Sequence, residues 1–379
     1  MPKLNKDYLS YWKIRGSFAS VGTAFERYIA NPLFAWNTSI GQWSNLTDFP
    51  VYDLKPERTN SFEVGMNMRF LKNFELDVTY YNAKTMNQTF NPELPVGEYA
   101  RIYIQTGAVR NQGLELALNY NNTGVTYSMN KNKILTLADN AINPITREKF
   151  SISSLNMGGL GSTRFILKEG GSMGDIYSLM DLKRDANGAV YIDENNSVVT
   201  ESLEANNYIK LGSVLPKGNL AWRNNFSWKN INVAFLVSAR LGGVVFSRTQ
   251  AVLDNFGVSE ASAAARDKGY VSVNGNDRVN PEGWYSVVAG GTAVPQYYIY
   301  SATNIRLQEA SIGYTIPRKW LGNVCDIKVS LIGRNLWMIY NKAPFDPESV
   351  ASTDNFYQGI DYFMMPSLRN IGFNLSFKF

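Results

Sequence analysis

Apolar and polar side chains alternate with a period of two along much of this chain, most strictly at its end. Ile371, Phe373, Leu375, Phe377 and Phe379 alternate there with Gly372, Asn374, Ser376 and Lys378. That period is the signature of a β-strand with one apolar and one polar face. The same pattern recurs upstream. Between Tyr11 and Gly22, Trp12, Ile14 and Phe18 oppose Lys13, Arg15 and Ser17. Between Ser61 and Phe70, Phe62, Val64, Met66, Met68 and Phe70 oppose Glu63, Asn67 and Arg69. After a tight Leu71-Lys72-Asn73 connection, Phe74, Leu76, Val78 and Tyr80 oppose Glu75, Asp77, Thr79 and Tyr81. Leu114, Leu116, Leu118 and Tyr120 follow, then, past Asn121-Asn122-Thr123, Val125, Tyr127 and Met129. Leu220, Trp222, Phe226 and Trp228 lead through Lys229-Asn230 into Ile231, Val233, Phe235 and Val237. Ala310, Ile312 and Tyr314 precede Pro317, and Ile327, Val329 and Leu331 come after it.

These segments predict roughly ten strands of about ten residues, the length a tilted strand needs to cross hydrocarbon. The charged residues on the second face (Glu63, Arg69, Glu75, Asp77, Glu115, Arg223, Arg240, Glu309, Lys328) are costly against lipid and well placed in a wet lumen. The connections give an independent sign. Tight turns after Phe70, Tyr120, Trp228 and Pro317 alternate with long segments, roughly 23 to 49, 86 to 105, 136 to 218, 242 to 303 and 338 to 366. Short turns at one end and long loops at the other are the pattern of outer-membrane barrels. With the first strand running outward, the last runs inward and brings its terminal aromatic to the inner interface. The fold expected is therefore all-β: an antiparallel transmembrane β-barrel with long extracellular loops.

Composition narrows this further. The 379 residues include 22 Tyr, 20 Phe and 8 Trp, while only 18% are charged. That mix suits lipid outside and polar residues inside. No apolar run reaches the roughly 18 residues that a transmembrane helix needs; the most apolar stretch, Val233 to Phe246, is shorter and carries Arg240. A spanning chain of this kind must close as a barrel, because lipid satisfies no backbone hydrogen bonds. The net charge of +5 comes without a dense Lys/Arg block, so a nucleic-acid face is not expected. A single cysteine, Cys325, permits no internal disulfide. Met1 to Asp7 lack the apolar core of an export signal, so the chain is expected to be a fragment of an exported protein.

At this point several ordered stretches become recognisable. They are 54–65 (Leu-Lys-Pro-Glu-Arg-Thr-Asn-Ser-Phe-Glu-Val-Gly), 107–116 (Gly-Ala-Val-Arg-Asn-Gln-Gly-Leu-Glu-Leu), 166–171 (Ile-Leu-Lys-Glu-Gly-Gly) and 211–217 (Leu-Gly-Ser-Val-Leu-Pro-Lys). Further on come Asn304-Ile305-Arg306-Leu307 running to Gly313-Tyr314-Thr315-Ile316-Pro317, then Gly333-Arg334-Asn335-Leu336, Asp346-Pro347-Glu348 and the terminal strand. Taken together the chain resembles the C-terminal part of the SusC-like (RagA/SusC) TonB-dependent outer-membrane transporters of Bacteroidetes. The resemblance implies that residues 1–379 are about the last ten strands of a twenty-two-stranded barrel, with plug domain and signal peptide absent. It implies import of oligosaccharides or peptides, with a SusD-like surface lipoprotein as lid and the TonB–ExbB–ExbD complex acting through the missing plug. It also makes the outer-membrane assembly machinery a partner, with Phe373, Phe377 and Phe379 as the assembly signal. A half-barrel alone leaves two strand edges unpaired, which lipid does not tolerate.

Candidate chemistry is sparse. There is no histidine, which removes Ser-His-Asp and Cys-His catalysis and most zinc sites. Gly170-Gly171-Ser172-Met173-Gly174 has the spacing of a nucleophile elbow without its base or its strand-turn-helix context. Neither an enzyme nor a cofactor is expected. Asp185-Ala186-Asn187-Gly188 with Glu194 has part of a calcium-loop spacing, but Lys183 stands where the first ligand belongs, and a hairpin turn is the better reading. Trp36, Trp43, Trp284, Tyr285, Tyr297, Tyr298 and Tyr300 lie in the long segments. Aromatic faces stack on sugar rings and peptide side chains, so these seven are candidate substrate contacts. Interface girdle or packing against the lipoprotein is the competing role. Two further function classes stay open beside import: a surface binding or structural β-protein without transport, and a ferric-siderophore receptor.

Overall fold

The computed structural model describes residues 8–24, 29–30, 34, 36–43, 48–49, 55–90, 93–96, 99–143, 146–291, 294–322, 324–352 and 357–378. Its frame is one sheet of ten strands: β1 (Leu9–Thr23), β2 (Glu57–Phe70), β3 (Phe74–Phe90), β4 (Ile104–Tyr120), β5 (Thr123–Thr136), β6 (Gly218–Trp228), β7 (Ile231–Leu241), β8 (Asn304–Ile316), β9 (Asp326–Asn341) and β10 (Asn370–Lys378). Each strand pairs with the next in chain order, and every pairing is antiparallel. The ten strands expected from the alternation are these ten. The sheet is not closed: β1 and β10 are its two edges.

The register carries the binary pattern from strand to strand. Ser17 faces Glu63, Glu63 faces Tyr81, Asn67 faces Asp77, and Asp77 faces Ala117. Ala117 then faces Thr126, Thr126 faces Ala221, and Ala221 faces Ser238. The apolar set is equally continuous, from Phe18 opposite Phe62 to Leu331 opposite Phe373. A slip of one residue at any pairing would turn a whole strand inside out; the shifts at Leu9/Tyr11, at the outer ends of β3–β5 and at residues 305–309 of β8 are local bulges. Exposed Trp12, Phe18, Ile312, Leu331 and Phe373 thus belong to one outward apolar band.

The strands are 9 to 17 residues long, so several exceed the expected length. The surplus sits at the long-connection end. There β3 and β4 stay paired as far as Phe90 opposite Ile104, and both residues are buried. Protein covers both faces at that level, so strict alternation is lost and the sequence no longer marks the strand.

At the opposite end the connections are short: 71–73, 121–122, 229–230 and 317–325. Leu71, Lys72, Asn121 and Lys229 adopt positive φ to make them. The described parts of the long connections, by contrast, are folded. Among the described residues they carry three α-helices, α1 (Arg248–Asn255), α2 (Glu260–Lys268) and α3 (Pro281–Val288), and several small sheets. Two dry cores hold this outer layer together. One gathers Phe165, Ile176, Val214, Phe246, Val288 and Ile360; the other gathers Phe90, Ile134, Leu137 and Leu167. The last long connection is stitched in by Ile360–Asp361, which pairs in parallel with Val244–Ser247, and by the Ser247 hydroxyl donating to Asp361 at 2.6 Å.

Candidate functional site

The polar face of the sheet is concave and forms an open hollow of about 670 Å³. Arg15, Asp77, Glu115, Asn119, Arg240 and Glu348 stand around it. Among the described residues, three ion pairs join strands of the sheet. Arg15 lies 2.7 Å from Asp77, which also accepts from the Asn67 amide at 3.2 Å. Arg69 pairs with Glu75 at 3.4 Å and Arg334 with Glu309 at 3.0 Å, while Arg223 donates to Asn119 at 3.2 Å. The wall therefore presents a hydrogen-bonding surface with charges of both signs, part of them paired.

Glycines set how closely the wall packs. A Cβ on Gly113 would fall 2.3 Å from the Met129 carbonyl and 2.5 Å from the Tyr81 ring. The Tyr81 ring thus covers Gly113 on the neighbouring strand, which gives this signature glycine a steric reason.

Where the sheet meets the outer layer, three separately recognised stretches converge. Arg306 of β8, with its side chain 3% exposed, donates to Asp346 at 2.9 Å and lies 3.2 Å from Glu348. It also donates to Asn304 at 3.2 Å and to Asn335 at 3.4 Å, and Asn304 donates to Glu348 at 3.2 Å. Register shifts in the β7–β8 and β8–β9 pairings flank Arg306, and Asn335 takes φ 52°. Such bulges re-aim side chains. Burial pushes the Asp346 carboxyl up, but hydrogen bonds from Ser367 and Arg306 outweigh it and hold the group below the ordinary carboxylate range. Periodicity could not reveal this cluster, because its members lie up to 44 residues apart; only their presence in the quoted stretches marked them.

The seven aromatic candidates do not form one site. Trp36 and Trp43 pair edge-to-face across a two-residue hairpin, with centroids 5.3 Å apart, and are 51% and 63% exposed. Trp284 packs edge-to-face on Tyr297 at 5.2 Å beside the larger core. Tyr285 borders a second hollow of about 410 Å³ between the helices, with Asp254, Phe256, Arg266 and Glu282. Tyr298 is 2% exposed, and its hydroxyl donates to the buried Asp254 at 3.0 Å. Tyr300 packs edge-to-face on Phe345 at 5.4 Å. Burial and the Asp254 charge push the Tyr300 phenol up to about 12 and that of Tyr298 higher still, so both remain donors. Phe373 and Phe377 lie on the outward face of β10, exposed; Phe379 lies outside the described residues.

The Asp185 segment is a turn. Asp185 Oδ1 accepts from the backbone N–H of Asn187 and Ala189 at 2.8 and 2.9 Å, Gly188 takes φ 82°, and Arg184 bridges Val190. Ser172, in the elbow-like stretch, sits in a loop where its backbone N–H donates to Asp175 at 3.1 Å.

Comparison with known proteins agrees with this architecture. The family model described as TonB dependent receptor-like, beta-barrel matches residues 2–336. TonB-dependent receptor P3 of Formosa agariphila is 24% identical over 98% of the chain, which covers 40% of that protein. TonB-dependent receptor P26 of the same organism is 26% identical over 85% of the chain and 34% of its own length. A chain of the RagAB peptide importer in its closed-closed state superposes with a TM-score of 0.73 at 17% identity, over 100% of this chain and 42% of that one. The chain thus spans about two fifths of the length of such relatives. With ten hairpin-linked strands, one polar face and a model match over most of its length, the chain belongs to the TonB-dependent receptor-like β-barrel family of outer-membrane proteins.

Proposed function

We propose that this chain is the C-terminal part of a TonB-dependent receptor, supplying the last ten of about twenty-two barrel strands, and that the whole receptor imports oligosaccharides or peptides. A SusD-like lipoprotein caps it outside and the TonB–ExbB–ExbD complex energises it from within. It is a transporter and not an enzyme. The observation that carries the reading is the continuous hydrogen-bonding face, concave and partly charge-paired, beneath a folded outer layer. A wet, hydrogen-bonding wall suits polar, flexible cargo. Trp36, Trp43, Tyr285 and Tyr297 are the contacts we assign to cargo in that layer, since each keeps an accessible ring edge or borders a hollow.

Deleting the gene for the complete receptor tests this. Growth on a glycan or on oligopeptides as sole nutrient should fail and return on complementation. A defect confined to growth on ferric siderophore would make it a siderophore receptor. Intact uptake with lost surface binding would make it a binding protein. The terminal aromatics are assigned to recognition by the assembly machinery. A complete receptor carrying Phe377→Asp should then lose heat-modifiable migration; normal migration would remove that role.

A further inference from the structure

The described ion pairs divide into two groups. Arg15–Asp77, Arg69–Glu75 and Arg334–Glu309 lie within the sheet, and Arg318–Asp326 lies in its short-turn end. Lys210–Asp175 and Arg184–Asp181 lie within the outer layer. Among the described residues, the exception is Arg306, whose guanidinium rises from β8 and holds Asp346 and Glu348 of the segment between β9 and β10. It is therefore the one close ion pair from sheet to layer among them, with Arg240 of β7 attracting Glu348 at longer range. The partners differ in setting. Asp346 is 10% exposed and further fixed by Ser367 and by the Glu348 backbone N–H at 3.0 Å, whereas Glu348 is 39% exposed and borders the hollow.

From this geometry we propose that Arg306 is a positioning residue: it latches the segment 342–352 onto the mouth of the sheet and suspends the Glu348 carboxylate over the hollow. Arginine suits the task because its planar fork can engage two carboxylates and two amides at once, which a lysine cannot. A guanidinium this deeply buried is tolerated only while its partners are in place. Losing one end of the tie leaves buried charge uncompensated and favours lifting the segment, so that water reaches the carboxylates. The inference refines the import reading by naming what fixes the roof of the path. Its test uses no substrate, so it stands or falls separately from that reading.

The probe is Ala343, which is buried three residues before Asp346. In the complete receptor on intact cells, with Cys325 replaced by serine, Ala343→Cys is reacted with a membrane-impermeant maleimide. With the latch intact, labelling should be slow. Arg306→Met, close in length but uncharged, should accelerate it about tenfold or more, and Arg306→Lys should give an intermediate rate. Heat-modifiable migration reports that the labelled receptor is assembled. If Arg306→Met does not assemble, Glu348→Gln, which keeps volume and the Asn304 contact, should still raise the rate severalfold. Unchanged labelling in an assembled Arg306→Met or Glu348→Gln receptor overturns the latch. Equal labelling for Arg306→Lys and Arg306→Met overturns the role of the charge.

Discussion

Single residues show best what alternation does and does not convey. Whether a side chain faces lipid or lumen follows from parity, and the paired charges Arg15 and Asp77 sit on the expected face. Parity is silent on residues outside the strands. Tyr298 and Tyr297 are neighbours with the same side chain, yet one is sealed in a core with its hydroxyl on Asp254 and the other is 40% exposed. That difference arises from contacts with α1 and α3, far along the chain. Asp254 gathers donors from Tyr298, Gln250 and Ser259, so it is a structural carboxylate in the larger core. Tyr298→Phe should remove one of these bonds and cost the layer about 1–3 kcal/mol. The check is protease cleavage within residues 248–288 of the assembled receptor, which should speed up while heat-modifiable migration of the barrel is unchanged.

At the level of elements, the strands were the most legible part because one physical rule, lipid on one face and water on the other, governs every other residue. That rule fails where protein covers both faces, which is why the outer ends of β3, β4 and β5 and all three helices escaped it. The helices are also short, and two of them are capped by serines that look no different from loop residues in the sequence: Ser247 begins α1, and Ser259 begins α2 with Ser262 completing a capping box. A pair of substitutions on β4 tests the assignment of faces. Leu116→Arg places a charge on the lipid side at a cost of about 2–4 kcal/mol near the membrane middle, and should reduce the folded, heat-modifiable receptor. Ala117→Arg, one residue on and opposite Asp77 and Thr126 on the polar face, should assemble normally. Equal defects in both would mean that the two faces had been assigned wrongly.

Across the whole molecule, the sheet and the outer layer obey different solvents. The sheet is stable only as part of a closed wall in lipid, whereas the layer has dry cores of the kind found in water-soluble domains. The sequence showed the first and concealed the second, since long-range contacts among the connections leave no local period. The layer's cores draw together residues from 90 to 360, contributed by four of the long connections. That breadth bears on biogenesis. A packed body of this width cannot be threaded through a finished wall, and its pieces cannot find one another until all of them lie on the same side of the membrane. The long connections must therefore cross as unfolded chain before the wall closes. Tertiary folding of the layer then follows translocation.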